Sequence, residues 1–330
     1  MPLLLTETDV RRVLPMADLI DAMAAALAEY SGGRVVQPVR SVLSIGAERN
    51  VLAVMPAALD DPPAAGAKLV TVYHRNHVRG LPSHFATIVL TDYETGALTA
   101  VVDGRYITEA RTAAVSAVSV RLLARPDARV LALIGSGVQA QSHLNAITRV
   151  RKLHEVRVWS PTAAHRRAFV ADARNRERAG RARLVECESA SAAVRGADLI
   201  VLATSARTPV IDDADVDDGA HIAAVGACRP AEREMPTALV KRARLFVDSR
   251  AGAFSESGDV LLPMAEGGFG PDHIAAELGE VAASRATGRT GPGEVTIFKS
   301  LGMAVEDVVA ARLAVERARA AGLGQSFDLA

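Results

Sequence analysis

The chain has 330 residues, with 38 Lys plus Arg balanced by 38 Asp plus Glu, so its formal net charge at pH 7 is zero. That balance excludes the broad basic surface that nucleic acid or an anionic membrane would require. No uninterrupted apolar run reaches membrane-spanning length, the N-terminus has no basic-then-apolar leader pattern, and two cysteines, Cys187 and Cys228, have no metal-ligand spacing. A cytoplasmic protein without metal, long enough for two domains, is expected.

In chain order, Thr6-Glu7-Thr8-Asp9 supplies helix-capping chemistry, and apolar residues at helical spacing (Leu14, Met16, Leu19, Ile20, Met23, Leu27) predict one or two helices through Tyr30. From Val35 to Val102 the period changes to two. Strand candidates lie at Arg40 to Ile45, Val51 to Met55, Gly66 to Tyr73, Ser83 to Asp92 and Leu98 to Asp103, which reads as a mainly antiparallel sheet. Helix returns over Gly104 to Leu123, and Arg125-Pro126-Asp127-Ala128 punctuates the chain before the next strand.

Val130-Leu131-Ala132-Leu133-Ile134 is apolar without alternation, which suits a central parallel strand covered on both faces. It runs into Gly135-Ser136-Gly137-Val138-Gln139-Ala140, where the glycines allow a tight turn and close approach of a pyrophosphate. A helix opening near Val138 would direct its N–H groups at the phosphates. Further strands at Val156 to Trp159, Ala197 to Thr204, His221 to Gly226 and Leu245 to Asp248 complete a dinucleotide-binding domain. Beyond Phe254 the chain reads as loop-rich, until a helix over Met303 to Ala321 that is long enough to cross back to the first domain.

The expected fold class is therefore α/β, with a Rossmann-type domain over 125–302 and a mixed α/β domain from 1–124 and 303–330. Twenty-five positions after Gly135, where an NAD site places an acid on the ribose, stands Ser160, followed by Pro161 and Thr162. With no carboxylate to repel a 2′-phosphate, and with Ser160, Thr162 and Arg166 available to bind it, NADPH is expected ahead of NADH. Ser160 or Thr162 acting only as a helix cap is the plainer alternative.

Arg40, Lys68 and Arg111 are cations in segments otherwise poor in them, and together they suit a small carboxylate. His84, where a strand begins after a turn, becomes a proton-donor candidate if it faces the reacting group.

These motifs resemble those of the ornithine cyclodeaminase/mu-crystallin family along nearly the whole chain. The matching stretches are Gly80-Leu81-Pro82-Ser83-His84, Thr108-Glu109-Ala110-Arg111-Thr112-Ala113-Ala114, the 135–140 turn, Ala203-Thr204-Ser205, the 224–230 segment ending Cys228-Arg229-Pro230, Val247-Asp248-Ser249-Arg250, the 256–262 segment and Phe298-Lys299-Ser300-Leu301-Gly302. The resemblance implies a homodimer whose N-terminal domain supplies the subunit contact and most of the substrate pocket. It places Arg40, Lys68 and Arg111 on the substrate carboxylate. It places Thr112, Gly135 to Gln139, Thr204, Ser205, Val225, Gly226, Ser300 and Leu301 along the cofactor.

Cyclodeaminases carry an aspartate where this chain has Cys228, read here as a small substrate-side packing residue. The likeness is nearer to the ketimine reductases, and implies NADPH-dependent reduction of Δ1-pyrroline-2-carboxylate or Δ1-piperideine-2-carboxylate. Lys68, His84 or a bound water would protonate the imine. Alternatives are ornithine cyclodeaminase, alanine dehydrogenase, or a crystallin-like protein that binds NADPH without catalysis.

Overall fold

In the computed structural model, which describes residues 1–48, 50–176 and 178–328, the chain divides into two compact units. One is Met1–Arg111 with the segment from Met303 onward; the other is Thr112–Gly302. The division falls inside one continuous helix, Arg105–Leu123.

The first unit is a mixed α/β unit built on an eight-stranded sheet. Its order is Gln325–Ser326, Leu3–Leu5, Leu98–Asp103, His84–Thr91, Pro63–Val72, Asn50–Asp60 and Val35–Val36, with Ser41–Ile45 also pairing Asn50–Asp60. Every pairing is antiparallel except that of Leu3–Leu5 with Leu98–Asp103. The three short strands at Leu3, Val35 and Gln325 escape sequence reading because two or three residues cannot display an alternation.

The period of two sorts the longer strands into faces. Met55, Lys68 and Ile88 lie side by side in register and are buried, as are Val70 and Ala86. On the opposite face Leu43, Leu69 and Phe85 are exposed. Helix Ala304–Ala320 packs on the buried face across strands Asn50–Asp60, Pro63–Val72 and His84–Thr91, and beside helix Met16–Ser31. Its first two turns, Ala304 to Ala311, are buried all round, including Glu306 and Asp307. Acids in the first turn suit the positive end of the helix dipole, and the Gln37 side-chain oxygen accepts the Val305 N–H at 2.9 Å.

The second unit is a Rossmann-type sheet of eight parallel strands. Their order is Arg183–Glu186, Glu155–Trp159, Val130–Ile134, Leu199–Leu202, His221–Ala224, Thr296–Lys299, Arg244–Val247 and Ile274–Glu277. Alternate residues of each central strand enter different cores. Ala132, Ile134, Ile200 and Leu202 join one, while Leu131, Leu133, Leu199 and Val201 join the other. Both faces are covered, which is why these strands read as continuous apolar runs.

The segment expected to be loop-rich is more regular than its glycines suggested. It contains helices Arg250–Glu256 and Gly258–Ala265, strand Ile274–Glu277 and, in the middle of the sheet, strand Thr296–Lys299. Thr296–Lys299 is only four residues long, and nothing local marks it. Its two neighbours in the sheet supply its backbone partners.

Candidate active site

The strand order reverses direction between Val130–Ile134 and Leu199–Leu202, which opens a crevice beyond their carboxyl ends. Gly135 sits there with φ +125°, and a Cβ would come 2.4 Å from the Ala203 carbonyl oxygen, so only glycine fits. Gly137 precedes helix Val138–Val150, and a Cβ on it would meet no protein atom within 4 Å. The space in front of this helix start is therefore open to a ligand, and Val138 is 54% exposed beside it. Glycine turn, helix N-terminus and open space fit a pyrophosphate.

At the next strand end, Ser160 is buried and its Oγ accepts a hydrogen bond from Ser136 Oγ at 2.9 Å. Thr162 directly precedes helix Ala163–Asn175 but makes no side-chain capping bond, and it is exposed. The capping reading therefore does not hold for Thr162. Arg166 turns back along its helix, Nη1 donating to the Ser160 carbonyl at 2.6 Å and Nε to Glu186 at 3.3 Å. Glu186 is a carboxylate from the adjacent strand, two strands away from the glycine turn, where the fingerprint spacing does not look.

Glu234 joins the loops that follow two central strands. Its Oε1 accepts from the Thr204 N–H and hydroxyl, and its Oε2 from the Gly226 and Ala227 N–H groups at 2.7 and 3.2 Å. Gly226 must be glycine, because a Cβ would lie 2.3 Å from both Glu234 Oε1 and the Thr204 carbonyl. Asp259 Oδ1 accepts the Glu234 and Met235 N–H groups, and its Oδ2 lies 3.0 Å from the buried Lys299 ammonium, which donates to the Ala227 carbonyl. Burial pushes the Glu234 carboxyl up, and Asp259 adds to that push against Lys299 and the Thr204 donors.

Asp248 performs the same service further along, accepting from the N–H groups of Leu301 and Gly302 at 2.5 and 2.7 Å. Thr204, Gly226 and Leu301 are thus each held by a buried acid, while Ser205 and Val225 lie in the same two loops. Cys228 follows them and is exposed rather than packed, with Sγ 3.5 Å from the Val225 carbonyl.

In the sheet unit, Lys68 and Arg111 are brought together. Lys68 Nζ lies 2.5 Å from Asp307 Oδ2, Arg111 Nε donates to Asp307 Oδ1 at 3.0 Å, and Arg111 Nη1 to Glu306 Oε2 at 2.6 Å. All four side chains are at most 5% exposed. Burial drives the Lys68 ammonium down from its usual value to about 8, with Asp307 opposing, and Arg111 and Arg40 adding to the fall. Burial would raise Asp307, but Arg111 and Lys68 outweigh it and hold the carboxylate below its ordinary range. Arg40 is half-buried and within electrostatic reach of Lys68.

His84 shares the inner face with Lys68, and burial together with Lys68 and Arg111 lowers its pKa to about 4. It is neutral at neutral pH, and its buried Nε2 has no hydrogen-bond partner among the described residues. Thr112, next to Arg111 in the helix, is half-buried.

Sequence reading missed Glu306 and Asp307 altogether. Their only local signal is a pair of acids inside an otherwise Ala/Val helix opening, Ala304-Val305-Glu306-Asp307-Val308-Val309. It also missed Glu186, Glu234, Asp248 and Asp259. Among the described residues no group of three or more His, Cys, Asp or Glu side chains could hold a metal ion, and no helix is long and apolar enough to cross a membrane.

The family model described as the ornithine cyclodeaminase/mu-crystallin family matches residues 1–322. The ketimine reductase mu-crystallin of Mus musculus is 43% identical over 298 residues, covering 89% of this chain and 90% of that protein. The solved Thermococcus litoralis Δ1-pyrroline-2-carboxylate reductase, in complex with NADH and L-proline, superposes with a TM-score of 0.95 at 35% identity, over 98% of this chain and 100% of its own. An archaeal alanine dehydrogenase dimer with bound NAD superposes at 0.93 with 31% identity, over 100% and 99%.

Proposed function

Since this chain belongs to the ornithine cyclodeaminase/mu-crystallin family, we propose that it reduces a cyclic ketimine, Δ1-pyrroline-2-carboxylate or Δ1-piperideine-2-carboxylate, to L-proline or L-pipecolate. It is an oxidoreductase working at C=N with a nicotinamide dinucleotide, and we infer NADPH as the preferred form. The observation that carries the reading is the buried Lys68–Asp307–Arg111–Glu306 cluster with Arg40 beside it.

Reduced nicotinamide supplies the hydride. Gly135 to Gln139 would hold the pyrophosphate, Ser160, Thr162 and Arg166 the ribose phosphate, and Thr204, Val225, Gly226 and Ser300 the remainder. Arg111 and Arg40 would grip the substrate carboxylate, fixing the imine carbon so that its reaction becomes effectively intramolecular. Of the three proton donors considered, Lys68 is favoured. An ammonium of pKa about 8 is charged at neutral pH yet acidic enough to give up its proton, whereas His84 at about 4 is already neutral. Protonation makes the imine an iminium, a far better hydride acceptor.

The exposed apolar face of Leu43, Leu69 and Phe85 supports a homodimer formed through this sheet, as does the dimeric alanine dehydrogenase relative.

Following NADPH absorbance with each ketimine, with pyruvate plus ammonia, and with ornithine in the oxidative direction tests the proposal. Rapid oxidation by one or both ketimines is expected, with negligible ammonia from ornithine, because the Cys228 thiol cannot pair with and deprotonate a terminal ammonium as a carboxylate would. No turnover of any ketimine, or ammonia release at a comparable rate, overturns it.

A further inference from the structure

We propose that Asp307 is a positioning residue that keeps Lys68 protonated and aimed for proton delivery, while Glu306 separately fixes Arg111. This rests on the reductase reading above. Asp307 gives one oxygen to each cation, Oδ2 to Lys68 Nζ at 2.5 Å and Oδ1 to Arg111 Nε at 3.0 Å, so it sets their relative placement. Glu306 contacts Arg111 Nη1 at 2.6 Å. Both acids lie on a helix opening buried on every side, where their charges carry a desolvation cost that pairing with Lys68 and Arg111 must offset.

The use of lysine in this chain points the same way. Of 38 basic residues only Lys68, Lys152, Lys241 and Lys299 are lysines, and Lys68 and Lys299 are buried while the other two are exposed. An arginine at position 68 would bind a carboxylate more strongly through its fork, but it could not release a proton. A lysine facing a carboxylate can. Asp307 and Arg111 from the two helices and Arg40 ahead of strand Ser41–Ile45 act on this ammonium, while His84 from the neighbouring strand is itself neutral. Of these Asp307 carries the negative charge that opposes burial.

In the step itself an N–H bond of Lys68 breaks as one forms at the imine nitrogen, hydride from the reduced cofactor adds at carbon, and the neutral lysine regains a proton from solvent. Asp307 stays ionised throughout.

Full-length protein labelled with 15N-lysine offers four side-chain resonances, assigned with Lys152→Arg and Lys241→Arg, whose pH titration is read alongside the pH profile of kcat/KM. One resonance is expected to titrate near pH 8 in the unmodified protein, coincident with the alkaline loss of activity. Asp307→Asn should move both midpoints down together by a unit or more, since the charge that holds the proton is gone. Glu306→Gln should raise KM for the imino acid and leave both midpoints in place.

Unmoved midpoints in Asp307→Asn, or equal shifts in both variants, overturn the assignment. If Asp307→Asn does not fold, Asp307→Glu replaces it: the midpoints should stay while kcat falls at least tenfold, and an unchanged kcat overturns the assignment. If the unmodified protein reduces no ketimine, the reductase reading fails, and the lysine titration still decides whether Asp307 controls Lys68.

Discussion

The Glu234 carboxylate accepts both the backbone N–H and the hydroxyl of Thr204, at 2.8 and 2.7 Å, and so ties the end of strand Leu199–Leu202 to the loop after His221–Ala224. The fingerprint turn is the proposed phosphate cradle, and this buried acid ties together two loops at the carboxyl ends of the same sheet. Glu234→Ala would leave four backbone and hydroxyl donors seeking water, and a hydrogen bond to a charged group contributes about 1.5–3 kcal/mol. The expected result is cofactor affinity weakened by one to two orders of magnitude by calorimetric titration. Unchanged affinity would show that the loops hold their shape without it.

Cofactor choice should follow the residues around Ser160. Ser160→Asp places a like charge against a 2′-phosphate and should cost NADPH about 1–3 kcal/mol, roughly 5- to 150-fold in KM. Glu186→Gln should act oppositely, because Arg166 now shares its guanidinium with Glu186 and would be released toward phosphate. Steady-state kinetics with both cofactors checks each variant. Equal efficiency with NADH and NADPH in the unmodified protein would end the claim.

Arg40 and Arg111 should separate binding from stability. Arg40 is half-buried, so Arg40→Ala is expected to raise the substrate KM strongly and leave the melting temperature nearly unchanged. Arg111→Ala strands Glu306 and Asp307 in the interior. Breaking such a buried pair costs about 3–5 kcal/mol, so that variant should lose both turnover and stability. Chemical denaturation distinguishes the two, and an Arg40→Ala variant with normal KM would place the carboxylate elsewhere.

Buried histidines predict acid sensitivity. His143 donates from Nδ1 to the Gln139 carbonyl, and its Nε2 lies 2.9 Å from Ser116 Oγ. Burial lowers its pKa from 6.5 to about 4, and that of His221 to about 3. The unfolded chain therefore binds protons that the folded chain refuses. Stability is full above pH 6.5 and falls as pH drops toward 4, by roughly 3 kcal/mol for His143 once fully titrated. Urea midpoints should fall between pH 7 and 5, and His143→Gln should flatten that slope. A midpoint independent of pH in the unmodified protein would contradict this.

Strand Val130–Ile134 and its glycine turn could be read from the sequence because their causes are local. Five apolar residues, two glycines and a helix start need no distant partner to be recognised. Lys68 was conspicuous for the same reason, as a charge inside an apolar strand. Strand Thr296–Lys299 was hidden because four residues among glycines acquire an extended shape only from their two sheet neighbours.

The sequence by itself determined the fold class and singled out the glycine turn and the cations proposed for the site, all of which follow from periodicity and from residues that are out of place in their own segments. What faces those cations only the tertiary structure decided. Asp307 lies 239 positions beyond Lys68 and meets it at 2.5 Å, because the last helix returns over the inner face of the first sheet. Whether a charged group is a ligand site, an ion pair or a proton donor depends on burial and on neighbours within a few ångströms. Those neighbours are set by packing between segments far apart in the chain.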